Sequence, residues 1–154
     1  MRQVRERPRR LPKEAFGMTS VKEVRVRDFM VDKPVVFTRE TELLDAVRKL
    51  LDRRISGAPV VDEHGNLVGV LTERDFLKAA LVAGYHGESG GCVGDYMTCD
   101  VHAVNADDGL LDVAMRFVET KRRQFPVMED NRVVGLVARR DVLRAVLDAF
   151  APSR

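Results

Sequence analysis

Apolar positions along the chain fall into two alternating spacings. Leu43, Ala46, Val47, Leu50 and Leu51 recur three and four residues apart, as do Leu110, Val113, Ala114, Phe117 and Val118. That interval lines one face of an α-helix. Short β-branched runs follow the first group at 59–61 and 67–71, separated by His64-Gly65-Asn66. Runs of this length around a glycine-bearing turn predict a pair of strands. The helical spacing then returns and predicts further helices over 73–82 and 139–150. A short extended piece precedes each first helix, at 35–38 and at 102–105.

The two stretches are copies of one another. At an offset of 67, Val26-Arg27-Asp28-Phe29-Met30 overlies Val93-Gly94-Asp95-Tyr96-Met97, and Ala58-Pro59-Val60 overlies Phe125-Pro126-Val127. One residue is dropped in the turn, and at an offset of 66 Arg74-Asp75-Phe76-Leu77 overlies Arg140-Asp141-Val142-Leu143. So many shared Asp, Met, Pro and Gly positions in one order mark a tandem duplication. The expected class is α+β, with a β-α-β-β-α repeat at 26–83 and another at 93–150. A basic N-terminal arm (1–25), a glycine-rich flexible linker (84–92) and a short tail (151–154) complete the chain.

Composition narrows the possibilities. The 154 residues are 45% hydrophobic and 32% charged, and a chain of this length buries enough core to need no disulfide or metal staple. The longest stretches without a charged side chain, 64–72 and 79–87, hold nine residues, against about 18 for a membrane span. Membrane insertion is therefore not expected. The opening residues lack the apolar core of a secretory signal, and two cysteines make no disulfide framework, so the expected location is the cytoplasm. Residues 1–25 carry eight basic and three acidic side chains, and the formal charge of +2 leaves the remainder at −3. A basic arm of this kind can meet nucleic acid or an acidic partner. A solvated tail is the simpler reading, and nucleic-acid binding is not the expected role.

The copies share no Ser/His/Asp or Cys/His arrangement, so no catalytic residues and no enzymatic activity are expected. His86, Cys92, Cys99 and His102 lie near one another in sequence, but zinc sites show paired ligands in matched register. No metal and no redox role are expected of them. The junction Gly69-Val70-Leu71-Thr72-Glu73-Arg74-Asp75 is more informative. A strand ends and a helix begins at Thr72, where unpaired backbone N–H groups and the helix dipole suit an anion. Asp75 offers two acceptors suited to ribose hydroxyls. The same atoms also serve as a capping box, the reading that the local pattern alone favours. In the second copy Ala138 replaces the threonine while Asp141 remains, which speaks against capping as the role of that acid.

Gly69–Asp75, following Ile55-Ser56-Gly57-Ala58-Pro59-Val60-Val61 and duplicated in order, resembles the cystathionine-β-synthase (CBS) domain in its tandem form, the Bateman module. The resemblance extends over roughly 26–150. It implies two CBS repeats packed about a pseudo-twofold axis, with clefts that take AMP, ADP, ATP, S-adenosylmethionine or NADH as regulatory ligands and no further cofactor. By the same resemblance, Thr72 reaches phosphate and Asp75 holds ribose, joined by Val101, His102, Arg123, Gln124 and Pro126. A second set joins Asp141 to Val35, Val36, Ser56, Gly57, Ala58 and Pro59. With Ala138 lacking a hydroxyl, the Thr72/Asp75 set is expected to be the better one. A homodimer and an unidentified effector protein are the implied partners. The competing readings are a structural dimerisation scaffold with empty clefts and a scaffold that presents the basic arm to nucleic acid.

Overall fold

The computed structural model describes residues 21–86 and 90–150, with side chains of 84–86 left out. Most of the basic arm (1–20), part of the linker (87–89) and the tail (151–154) lie outside the described residues. The chain divides into two compact units.

The first unit comprises Val35–Val101 with Asn131–Val133. Helix α2 (Leu43–Arg53) precedes strands β2 (Gly57–Val61) and β3 (Leu67–Thr72), and helix α3 (Glu73–His86) and the one-turn helix α4 (Val93–Tyr96) follow. β2 and β3 pair antiparallel, Gly57 with Thr72 and Ala58 with Leu71. Asp62 organises the turn between them, its Oδ1 accepting the His64 and Asn66 amides at 2.9 Å each. Phe37, Leu43, Ala46, Leu50, Ala58, Val60, Leu71, Ala79 and Val93 form the core.

The second unit comprises described residues 21–34, 102–130 and 134–150. It holds helix α1 (Val26–Phe29), strand β1 (Val31–Asp32), strand β4 (Val104–Asn105), helix α5 (Leu110–Glu119), strands β5 (Gln124–Glu129) and β6 (Arg132–Ala138), and helix α6 (Arg139–Phe150). The sheet order is β1-β6-β5-β4. β1 runs antiparallel to β6, Val31 opposite Leu136, and β4 runs parallel to β5. Asp130 and Asn131 both have positive φ, 49° and 62°, the tight hairpin geometry that residues of their type tolerate. The core gathers Phe29, Val104, Leu110, Val113, Phe117, Phe125, Val127 and Val142, with the Phe117 and Phe125 rings 4.5 Å apart. On the surface, Arg27 bridges Asp107 and Glu129, each at 2.6 Å.

Four features differ from the sequence reading. The extended piece at 35–38 is no strand but a single bridge, Phe37 to Val60. α3 continues to His86 and so takes in the first three residues assigned to the linker. Leu51 and Val118 are 70% and 82% exposed, so α2 and α5 each carry apolar side chains on an outer face as well as the buried one. Finally, the compact units do not coincide with the sequence repeats. The opening segment of the first copy (α1 and β1) lies in the second unit, and α4 of the second copy lies in the first unit.

Candidate functional site

β3 passes into α3 without an intervening residue, so the chain turns from strand to helix at Thr72. The Thr72 amide and hydroxyl both donate to Asp75 Oδ2, at 2.9 and 3.0 Å, and the Asp75 amide donates to Thr72 Oγ1 at 3.3 Å. This is a complete capping box. A fourth bond comes from Thr98, whose hydroxyl donates to Asp75 Oδ1 at 3.0 Å. The Glu73 amide, first of the helix, donates to the Ser56 carbonyl at 2.9 Å. Asp75 is 7% exposed. An ionised carboxylate has about four acceptor positions; these three donors take two on Oδ2 and one on Oδ1. Among the described residues Oδ1 therefore retains one acceptor position. The Thr72 proton is engaged on Asp75, so that hydroxyl donates to a phosphate only by exchanging this bond.

The second copy rebuilds part of the arrangement. The Ala138 amide donates to Asp141 Oδ2 at 2.8 Å, and the Arg139 amide donates to the Arg123 carbonyl at 3.1 Å. Asp141 therefore caps the start of α6, contrary to the expectation drawn from Ala138. Half of the box uses only the backbone N–H, which alanine supplies as well as threonine. The same geometry recurs where Asp28 accepts from the Arg25 amide and Asp95 from the Cys92 amide. Burial separates the pairs: Asp75 and Asp141 are the buried charged residues among those described, whereas Asp28 is half-buried and Asp95 exposed.

The first unit holds Val35, Val36, Ser56, Gly57, Ala58, Pro59, Thr72, Asp75 and Val101; the second holds His102, Arg123, Gln124, Pro126 and Asp141. Ala58 is part of the core, and Gly57, Pro59 and Pro126 are buried in β2 and β5. Val36 and Arg123 are exposed, while Val35, Ser56, Val101 and His102 are half-buried. Gln124, at the start of β5, has its Nε2 shut away from solvent with no hydrogen-bond partner among the described residues. A buried amide donor of this kind is matched by an acceptor in most folded proteins. Thr98 was not foreseen. Its bond to Asp75 crosses 23 residues, and the trace left in sequence is the contrast between Tyr96-Met97-Thr98 and Phe29-Met30-Val31 at equivalent positions. Cys92 and Cys99 are exposed and unpaired. Among the described residues no three His, Cys, Asp or Glu side chains gather as a metal would require, and no helix is long and apolar enough to cross a membrane.

Comparison with known proteins gives a consistent result. The family profile described as the CBS domain matches residues 26–82 and again 93–148. CBSX2 of Arabidopsis thaliana, whose crystal structure was solved in complex with AMP, superposes with a TM-score of 0.71 at 33% identity, covering 80% of this chain and 96% of that one. The CBS domain pair of protein MJ0100, in complex with 5'-methylthioadenosine and S-adenosyl-L-methionine, superposes with a TM-score of 0.69 at 29% identity over 80% of this chain and 95% of that one. The A-adding tRNA nucleotidyltransferase of Aquifex aeolicus is 32% identical over 133 residues, 86% of this chain but 16% of that protein. The chain likewise spans 41% of the length of protein MJ1225 of Methanocaldococcus jannaschii and 63% of that of chloroplastic CBSX2.

Proposed function

This chain belongs to the CBS domain family, carrying the domain twice, and from that premise we propose that it is a non-catalytic regulatory module for an adenosine-containing ligand of the AMP, ADP and ATP class. The carrying observation is the buried Asp75 at the first turn of α3, held by Thr72 and with an acceptor position left on Oδ1. The bound AMP, methylthioadenosine and S-adenosylmethionine of the two similar structures support the same ligand chemistry. Asp75 takes ribose, the α3 N-terminus favours phosphate, and Val101, His102, Arg123, Gln124 and Pro126 complete the set in the proposal. Asp141, with Val35, Val36 and the 56–59 segment, forms the second and weaker set, because Ala138 brings no hydroxyl. A ligand that favours one arrangement of the two repeats shifts the population toward it and thereby signals to a partner.

Titration calorimetry with AMP, ADP, ATP, S-adenosylmethionine and NADH tests the proposal. Micromolar binding of one of them, lost in Asp75→Ala and weakened less in Asp141→Ala, is expected. Absence of binding by all five overturns it, and loss in Asp141→Ala alone reverses the order of the two sets.

A second reading has its own observation. Leu77 and Leu81 on α3, Leu111, Met115 and Val118 on α5, and Leu143, Leu147 and Phe150 on α6 are between 49% and 82% exposed. Each set recurs at three- or four-residue spacing on one helix, and exposed apolar residues grouped on one face are a feature of protein interfaces. They support a homodimer, which serves a structural scaffold as well as a sensor. A monomer by sedimentation equilibrium at micromolar concentration would remove this reading.

A further inference from the structure

Thr98 is anchored independently of its side chain. Its carbonyl accepts from the Val70 amide and its amide donates to the Val70 carbonyl, both at 2.9 Å. The preceding Met97 lies over Gly69, where an added Cβ would stand 2.7 Å from the Met97 sulfur. From this fixed backbone the hydroxyl reaches Asp75 Oδ1 at 3.0 Å. Thr72 already holds Oδ2, so the two threonines together fix both oxygens. The terminal torsion of a carboxylate is broad and soft, and bonds on both oxygens narrow it further than bonds on one.

The second copy shows that the fold does not need the hydroxyl. Val31 occupies the equivalent position, pairing with Leu136 as Thr98 pairs with Val70. A β-branched side chain without oxygen completes that sheet edge.

We propose that Thr98 is a positioning residue for the ligand, holding Asp75 Oδ1 so that its remaining acceptor position meets one ribose hydroxyl. The proposal rests on the ligand reading given above.

The test compares wild type, Thr98→Val and Thr98→Ser by calorimetry against AMP, 2'-deoxy-AMP and 3'-deoxy-AMP, with urea midpoints measured in parallel. Wild type is expected to prefer AMP over one of the two deoxy analogues. Thr98→Val should bind AMP about three- to tenfold more weakly, because binding must then fix a carboxylate that the wild type already holds in place, and should lose most of the discrimination against that analogue. Thr98→Ser should restore both. A merely structural role would weaken all three ligands by one factor, and that outcome overturns the proposal, as does a Thr98→Val variant that binds like wild type. If wild type binds no AMP, or Asp75→Ala binds it undiminished, the ligand reading itself fails and takes this proposal with it. AMP binding that needs Asp75 but ignores Thr98 refutes the positioning role alone.

Discussion

Replacing Asp75 with alanine perturbs stability as well as any ligand, and the structure sets the scale. The carboxylate accepts from the Thr72 amide, the Thr72 hydroxyl and the Thr98 hydroxyl at 2.9, 3.0 and 3.0 Å, in a side chain 7% exposed. Loss of a cap is worth about 1 kcal/mol, and donors left without an acceptor in a buried site add about 1–2 kcal/mol. Asp75→Ala should therefore lose about 2–3 kcal/mol, or about 5–10 °C in midpoint temperature for a chain of this size. Asp95 is the internal control: it occupies the same place in its helix but is exposed and, among the described residues, accepts from the Cys92 amide alone. Asp95→Ala should lose about 1 kcal/mol or less. Equilibrium urea unfolding, fitted with a shared m-value, measures both. In the presence of AMP at about 100 times its dissociation constant, wild type should gain about 2.7 kcal/mol and Asp75→Ala should gain nothing. Equal losses in the two variants would refute the bracing of Asp75 described above.

Three further outcomes are expected. Gly69→Ala places a methyl group 3.0 Å from the Thr98 carbonyl oxygen, which is held by the Val70 amide; the strain should cost about 1–3 kcal/mol by urea unfolding. Gly135→Ala, 2.9 Å from the Val31 carbonyl, should cost about as much. The Asn66 amide, with further help from the Asn66 side chain and the His64 amide, holds the Asp62 carboxyl below its ordinary pKa. A carboxyl depressed in the folded state stabilises above its unfolded pKa of about 3.9, and the gain fades as pH falls through the lower folded value. Asp62→Asn should flatten the acid limb of the stability–pH profile below about pH 4, and an unchanged limb would refute the assignment.

The duplication was legible because its markers are local and ordered: an Asp three residues into each second helix, a Pro in each buried strand, a Gly at each close approach. The inner face of α2 was legible for the same reason, since Leu43, Ala46 and Leu50 share one helical stripe. Leu51 shares the three-and-four spacing, although it follows Leu50 by about 100° around the helix and projects outward. Periodicity records which side chains are apolar, and it does not say what each one meets. α1 and α4, four residues each, are too short for a periodic signal. Asp75 stood out in its motif, whereas Thr98 depends on a pairing to Val70 that no local pattern announces.

The exchange of opening segments has a consequence for how such a protein is inherited. β3 is closed on one side by Thr98, through both backbone bonds to Val70, and Gly69 is covered by Met97. A first copy cut free at the linker would keep β3 but lose this cover. Its unpaired N–H and C=O groups would then form an open edge of the kind that recruits foreign strands into aggregates. β6 would be left in the same state without Val31. Recombination can therefore move the two copies between genes as one cassette, while a lone copy begins with a β-edge that must be blunted anew.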